Sequence, residues 1–309
     1  MKFDTIMNLR GWQMKLKISA IFLILGLGFF GNSSIADATF PKSPSEIVQE
    51  APDTDWVNIA DDDLVIITLA NGKKFSLQLA SQFAPIHVNN IKKFIRAGWF
   101  DKAAVNRVQD NYVVQWGAPE NTPTPENIVQ NPPSEYDFPL RGLPFRAMPY
   151  RDAYAPQTGH TNSWPMASDG RKAWLVHCYG MIGVARGLAP DTGNGGELYS
   201  IIGHSPRHLD RNITIVGRIV SGMENVTALP RGTGDLGFYA SDDQKLAFKE
   251  VKLASDLPIN ERPHYQVMRN NSPSFASWLN ARANRGGPFF TKPAGAVDIC
   301  NAQAPIREK

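Results

Sequence analysis

Arg107 and Gln115 stand eight residues apart in Val105–Gly117, among neighbours that include Tyr112 and Val113. A second segment, Asn194–Gly217, carries Glu197, Tyr199, His208, Leu209 and Ile213, and Ala185-Arg186 precede it. Each segment reads as strand bounded by Gly and Asn. Between them they hold a permanently charged donor with five N–H groups, aromatic rings and aliphatic surface. Neither contains a nucleophile set beside a general base. The chemistry on offer is non-covalent: an apolar slot with a hydrogen-bond donor at its edge.

In order and internal spacing the two segments resemble the two halves of the active groove of the cyclophilins, barrel-shaped peptidyl-prolyl isomerases. The resemblance runs, with gaps, from about Leu64 to Leu257. It implies a mainly β fold, a closed antiparallel eight-stranded barrel capped by two helices, acting on proline-containing polypeptides without cofactor or metal. It implies Arg107 as the catalytic arginine and Gln115 as the glutamine that positions it. Tyr112, Val113, Tyr199 and Leu209 match proline-pocket positions, and Ala185 matches a strand residue whose backbone faces the peptide. Elsewhere the chain departs from the family pattern. Arg186 stands for an asparagine, Glu197 for a glutamine, His208 for a tryptophan, Ile213 for a pocket histidine, Asn106 for a histidine and Trp116 for a glycine. Glu197 and Arg186 are open to two readings: they pair with each other, or Glu197 draws Arg107 away from the groove. The second would favour an inactive peptide-binding module over an isomerase.

So sparse a site suffices for rotation about an Xaa-Pro bond. Amide resonance sets a barrier of ~18–20 kcal/mol, while the two proline isomers differ by only ~0.5–1 kcal/mol. Twisting the bond localises the lone pair on nitrogen, so a donor that meets the twisted state better than the planar one lowers the barrier.

The 309 residues suffice for one large or two ordinary domains, and 42% hydrophobic content is ordinary for a globular chain. Met14–Lys17 is basic, Ile18–Gly31 is apolar, and Ala36 and Ala38 give a small-x-small end. That order predicts a signal peptide over residues 1–38, cut after Ala38, and hence a periplasmic or secreted protein with no membrane attachment after cleavage. The apolar run is short for a span, which needs ~20 residues. Residues 1–38 carry +2 of the formal +3, so the remainder is close to neutral and offers no basic nucleic-acid surface. A monomer is expected. Cys178 and Cys300 are the only cysteines; a disulfide and two buried thiols are both open.

After a lead-in at 39–63, Leu64–Ala70 and Lys73–Ala80 flank Asn71-Gly72, a strong hairpin signal. Pro85 opens a helix that Gly98 can close. Further strands are expected at Ala104–Gln109, Tyr112–Gly117, Met181–Ala185, Leu198–Gly203, Ile213–Val220 and Phe248–Ala254, with a short helix at Glu224–Leu229. Ten prolines between Ala118 and Cys178 predict a loop-like insertion over about 119–178, packed as a lid on the barrel. Its Arg141, Phe145, Arg146, Tyr150, Arg151, Tyr154, Trp164 and Trp174 would also suit a contact surface. The extension 258–309 shows one helix, starting at Ser272-Pro273 and closing at Gly286, then a tail.

Gly232–Gly237 spells G-x-G-x-x-G, but a dinucleotide site needs a strand before it and a helix after it, and neither is expected here. His204 and His208 share a helical spacing across Pro206, which argues for a turn rather than a metal site.

Overall fold

The computed structural model describes residues 40–309, so the expected leader lies outside the described residues. The lead-in folds. Ser43 and Glu46 form a capping box on α1 (Pro44–Glu50), and β1 (Trp56–Asn58) follows. The Asn71-Gly72 hairpin joins β2 (Leu64–Leu69) to β3 (Lys74–Leu79). Next comes α2 (Pro85–Arg96), whose own segment supplies no capping side chain. The Glu135 carboxylate, far along the chain, accepts from the Ile86 and His87 amides at 3.0 Å each. It thereby satisfies two orphan donors at the positive end of the helix.

The chain continues through β4 (Ala104–Val108), β5 (Val113–Gly117), β6 (Phe138–Pro139), β7 (Arg146–Ala147), β8 (Gln157–Thr161), β9 (Trp164–Ser168) and β10 (Lys172–Leu175). Then come β11 (Met181–Val184), β12 (Glu197–Ile201), β13 (Ile215–Ser221), α3 (Met223–Thr227) and β14 (Leu246–Leu253). The last elements are β15 (Tyr265–Met268), α4 (Pro273–Ala283) and β16 (Ile306–Glu308).

Eight strands close the expected antiparallel barrel, in the order β11-β12-β5-β4-β14-β2-β3-β13, with β13 pairing back to β11. Closure leaves no free edge. Inward side chains such as Leu69, Leu77, Trp116, Ile182 and Leu253 form one core, joined by Val88, Ile91 and Ile95 of α2 and Val226 of α3. Observed element ends lie within a few residues of those expected.

Two expectations are corrected. The insertion is not loop-like: β6 to β10 form a five-stranded antiparallel sheet in the order β6-β10-β9-β8-β7. Its prolines punctuate rather than forbid the sheet. Eight of the ten fall between strands, Pro139 ends the edge strand β6, and Pro165 pairs only with His160, beyond the last β10 partner. Nor is the C-terminus a tail. After α4, which ends at Ala283 rather than at Gly286, the chain returns so that β16 pairs with β15, which also pairs with β1. A disulfide joins Cys178 to Cys300 with Cα atoms 5.0 Å apart, settling the open question about the thiols.

The second sheet and the C-terminal extension pack on the outside of the barrel, around a second core that includes Trp164, Met166, Met181, Tyr199, Ile201 and Trp278. No helix among the described residues is long and apolar enough to cross a membrane.

Candidate active groove

Antiparallel register sets the groove. Arg107 on β4 lies opposite Gln115 on β5, Gln115 opposite Tyr199 on β12, and Tyr199 opposite Gly183 on β11. Directly opposed residues share a face, so these positions form a row across the barrel's outside. A bulge makes this possible. Ala104 pairs with Gly117 and Val105 with Trp116, after which the register shifts at Asn106 so that Arg107 meets Gln115. Without the extra residue Arg107 would oppose Val114, which belongs to the barrel core. At the end of the row, a Cβ on Gly183 would sit 2.3 Å from the Tyr199 ring, so glycine is what lets that ring lie flat on the sheet.

Arg107 is half-buried and held from three sides. It donates from Nε to the Leu236 carbonyl (2.8 Å), from Nη1 to Gln115 Oε1 (3.1 Å), and from Nη2 to Gln109 Oε1. Its guanidinium carbon lies 5.8 Å from the centre of the Tyr112 ring and 5.2 Å from that of Phe238. Burial pushes the guanidinium below its ordinary range, opposed by Tyr112 and by the charge of Glu197, and it stays a cation. Three of its five N–H groups are engaged, and two remain.

The Leu236 carbonyl comes from the G-x-G-x-x-G segment, which lies between α3 and β14 and arches back beside β4. Gly232 and Tyr239 donate backbone hydrogen bonds to Val108 and Asn106. Gly237 (φ +81°) leaves no room for a Cβ, which would stand 2.6 Å from the Gln109 backbone. Leu236 itself adopts φ +54°, the turn that aims its carbonyl.

Glu197 forms no ion pair with Arg186, so that pairing is corrected. Its Oε1 instead accepts from Gln115 Nε2 (2.9 Å) and Asn106 Nδ2 (3.0 Å). This fixes which way the Gln115 amide points: Nε2 toward Glu197, Oε1 toward Arg107. Gln115 therefore bridges Glu197 and Arg107 by hydrogen bonds, while the Glu197 charge acts on Arg107 through space. Arg186 donates to the Asn212 and Gly187 carbonyls (3.0 and 2.7 Å). It lines, with Glu197, Gln115, Trp99, Glu120 and Asp191, an adjoining cleft of about 480 Å³. The Ala185 amide donates to the Glu197 carbonyl.

Val113 and Tyr199 are buried in the second core, and Tyr112 and Ile213 pack against it from the groove side. Leu209 is half-buried and His208 exposed on a short turn at Arg207–Leu209. Tyr199, with its hydroxyl held protonated by burial, meets His177 Nε2 at 3.1 Å, and His177 Nδ1 lies 3.0 Å from Asp210. Gln109, His177, Asp210, Leu236 and Phe238 escaped the sequence reading. Only the glycine run around Leu236 gave any signal, and it resembled a nucleotide motif.

A closed eight-stranded antiparallel barrel with an arginine on its outer face is the architecture that the resemblance to the cyclophilins implies. A family model described as "Cyclophilin type peptidyl-prolyl cis-trans isomerase/CLD" matches residues 64–253. The chain belongs to this family and is a peptidyl-prolyl cis-trans isomerase. It is 28% identical over 204 residues to proteins of Brucella suis and Brucella melitensis, each named "Probable peptidyl-prolyl cis-trans isomerase", covering 66% of this chain and 87% of each relative. Its fold is similar to that of cyclophilin AquaCyp293 from Hirschia baltica, with a TM-score of 0.64 and 22% identity over 86% of this chain and 97% of that one.

Proposed function

We propose that Arg107 is the catalytic donor of this isomerase and that Tyr112, Val113, Tyr199, Leu209 and Ile213 form the slot that takes the proline ring. The observation that carries this reading is the three-point hold on Arg107. Two N–H groups stay available beside the Tyr112 ring, while the rest of the guanidinium is fixed by Leu236, Gln115 and Gln109. A donor fixed before substrate arrives needs no reorganisation as the amide twists. Ala185, Arg186, Glu197 and His208 lie along the peptide's path on either side of the slot.

The protein acts as a monomer, since one chain carries both halves of the groove. It is exported by its Met14–Ala38 leader and speeds Xaa-Pro rotation in unfolded or partly folded exported chains. That step otherwise takes tens to hundreds of seconds.

A protease-coupled assay on an Xaa-Pro peptide tests the site. Wild type accelerates the slow phase, and Tyr112→Ala raises KM more than it lowers kcat. A Tyr112→Ala enzyme with unchanged KM would remove this residue from the slot. N-terminal sequencing of the exported protein tests the leader: a start near Thr39 is expected, and an uncut leader in the membrane fraction contradicts export.

A further inference from the structure

The second sheet reaches the proline slot through one unbroken line of buried polar contacts. Asp152, in the insertion, takes two hydrogen bonds from Arg207, at 2.9 and 3.1 Å. Arg207 Nε donates to Asp210 Oδ2 at 2.6 Å, and its guanidinium also lies 5.1 Å from the centre of the Tyr154 ring. Asp210 Oδ1 accepts from the His177 amide (2.9 Å) and faces His177 Nδ1 (3.0 Å). His177 Nε2 meets the Tyr199 hydroxyl at 3.1 Å. The side chains of Asp152, Arg207, Asp210 and His177 are only 3%, 3%, 7% and 1% exposed, so water does not screen the line.

The chemistry gives the line a direction. A carboxylate only accepts, so Asp210 faces the proton on His177 Nδ1, and a ring that carries that one proton has Nε2 as an acceptor. Tyr199 retains its proton and donates it there. The hydroxyl is thereby drawn into the protein and away from the groove, and the ring has one orientation over Gly183. A phenylalanine would fill the same space with no such tether.

We propose that His177 is a positioning residue for the proline slot, holding the Tyr199 ring in place and making the slot's shape depend on the insertion through Asp210, Arg207 and Asp152. This rests on the reading of Tyr199 as a slot residue.

The test is a double-mutant cycle on kcat and KM between Asp152→Asn, which lies in the insertion, and Tyr199→Phe, which removes a single oxygen. Asp152→Asn should raise KM by roughly 5- to 30-fold in the wild-type background and do almost nothing once Tyr199→Phe has cut the line. His177→Gln, which can still accept from Tyr199, should retain more activity than His177→Leu. Independent effects of the two substitutions, or a lowered Tm with KM unchanged, would overturn the proposal.

Imidazole ¹⁵N signals give a readout that does not depend on Asp152→Asn folding. A saturating Xaa-Pro peptide should shift the His177 Nε2 resonance in wild type but not in Tyr199→Phe. A wild-type protein that binds and turns over the peptide while His177 stays silent overturns this inference alone. One that neither binds nor turns it over overturns the slot reading beneath it.

Discussion

The barrel interior and the space between barrel and second sheet are both closely packed, yet they are filled differently. Hydrophobic side chains from Val65 and Leu69 to Trp116 and Leu253 fill the barrel interior, and the Tyr239 hydroxyl beside them donates to the Pro230 carbonyl. Between the sheets, apolar side chains share the space with buried Arg207, Arg218, His160 and His177. Arg218, on β13, has no carboxylate partner among the described residues. It donates to Gln78 Oε1 and to the Ser163 carbonyl, and lies 4.3 Å from the centre of the Trp164 ring. Burial pushes it down to about 9. The first core needs only enough apolar area, a non-directional requirement that many sequences meet. The second needs particular partners, because a buried polar group left alone is costly. The groove runs along their border: Arg107 stands on a strand whose inner face feeds the first core, and Tyr199 points into the second.

This contrast predicts that single substitutions damage the second core by orphaning charges rather than by opening cavities. Arg207→Ala, which strands Asp152 and Asp210, should cost about 3–5 kcal/mol in urea denaturation. Replacing Arg207, Asp152 and Asp210 together by apolar residues of similar size should recover most of that loss. If the triple replacement is as unstable as Arg207→Ala, the cost is one of packing and the two cores are alike.

The disulfide pins the C-terminal extension to this second core. Replacing Cys178 and Cys300 by alanine should cost about 2–5 kcal/mol by the same measurement. No loss would mean that packing alone holds the extension.

His160 gives the second core a pH dependence. Burial pushes it from 6.5 to about 4, against its hydrogen bond to the Ala302 carbonyl and assisted by nearby Arg218. Between those values the unfolded chain binds a proton that the fold refuses. Stability therefore falls as pH drops from 6.5 toward 4, by up to about 3 kcal/mol. Wild type should lose more Tm between pH 7.5 and 4.5 than His160→Gln does. Parallel curves would show that His160 titrates alike in both states.

The smallest effect is expected at Glu197. Glu197→Gln keeps an acceptor for Gln115 and Asn106, so kcat/KM should fall by less than about 5-fold, under ~1 kcal/mol. Glu197→Ala, which frees the Gln115 amide to turn, should fall further. A rise in activity with Glu197→Gln would mean that its charge restrains Arg107 after all.

The same contrast governs what can be read from the chain. Barrel strands such as Leu64–Leu69 and Lys74–Leu79 announce themselves by alternation and a hairpin dipeptide, because one repeating requirement shapes every residue. The second sheet opens with two strands of two residues each, prolines stand before and between its first three strands, and β9 carries a proline of its own, so no period announces it. Its anchors depend on partners far apart in sequence, such as Asp152 with Arg207 and His160 with Ala302. Of the groove, Arg107 and Gln115 were legible through the resemblance to the cyclophilins. The bulge at Asn106 that turns Arg107 outward was not, and neither of the two open readings of Glu197 named the Gln115 and Asn106 amides that it accepts from.

The most direct test is the steady-state isomerisation rate of Arg107→Ala beside wild type, with far-UV circular dichroism and Tm confirming that both are folded. One preorganised donor is worth ~2.7–4 kcal/mol of barrier, so kcat/KM should drop by roughly 10²–10³ with Tm nearly unchanged. Arg107→Lys should also be impaired, since an ammonium cannot reach Leu236, Gln115 and Gln109 in one plane while still facing the substrate. An Arg107→Ala enzyme that retains wild-type kcat/KM would contradict the assignment of Arg107 as the catalytic donor.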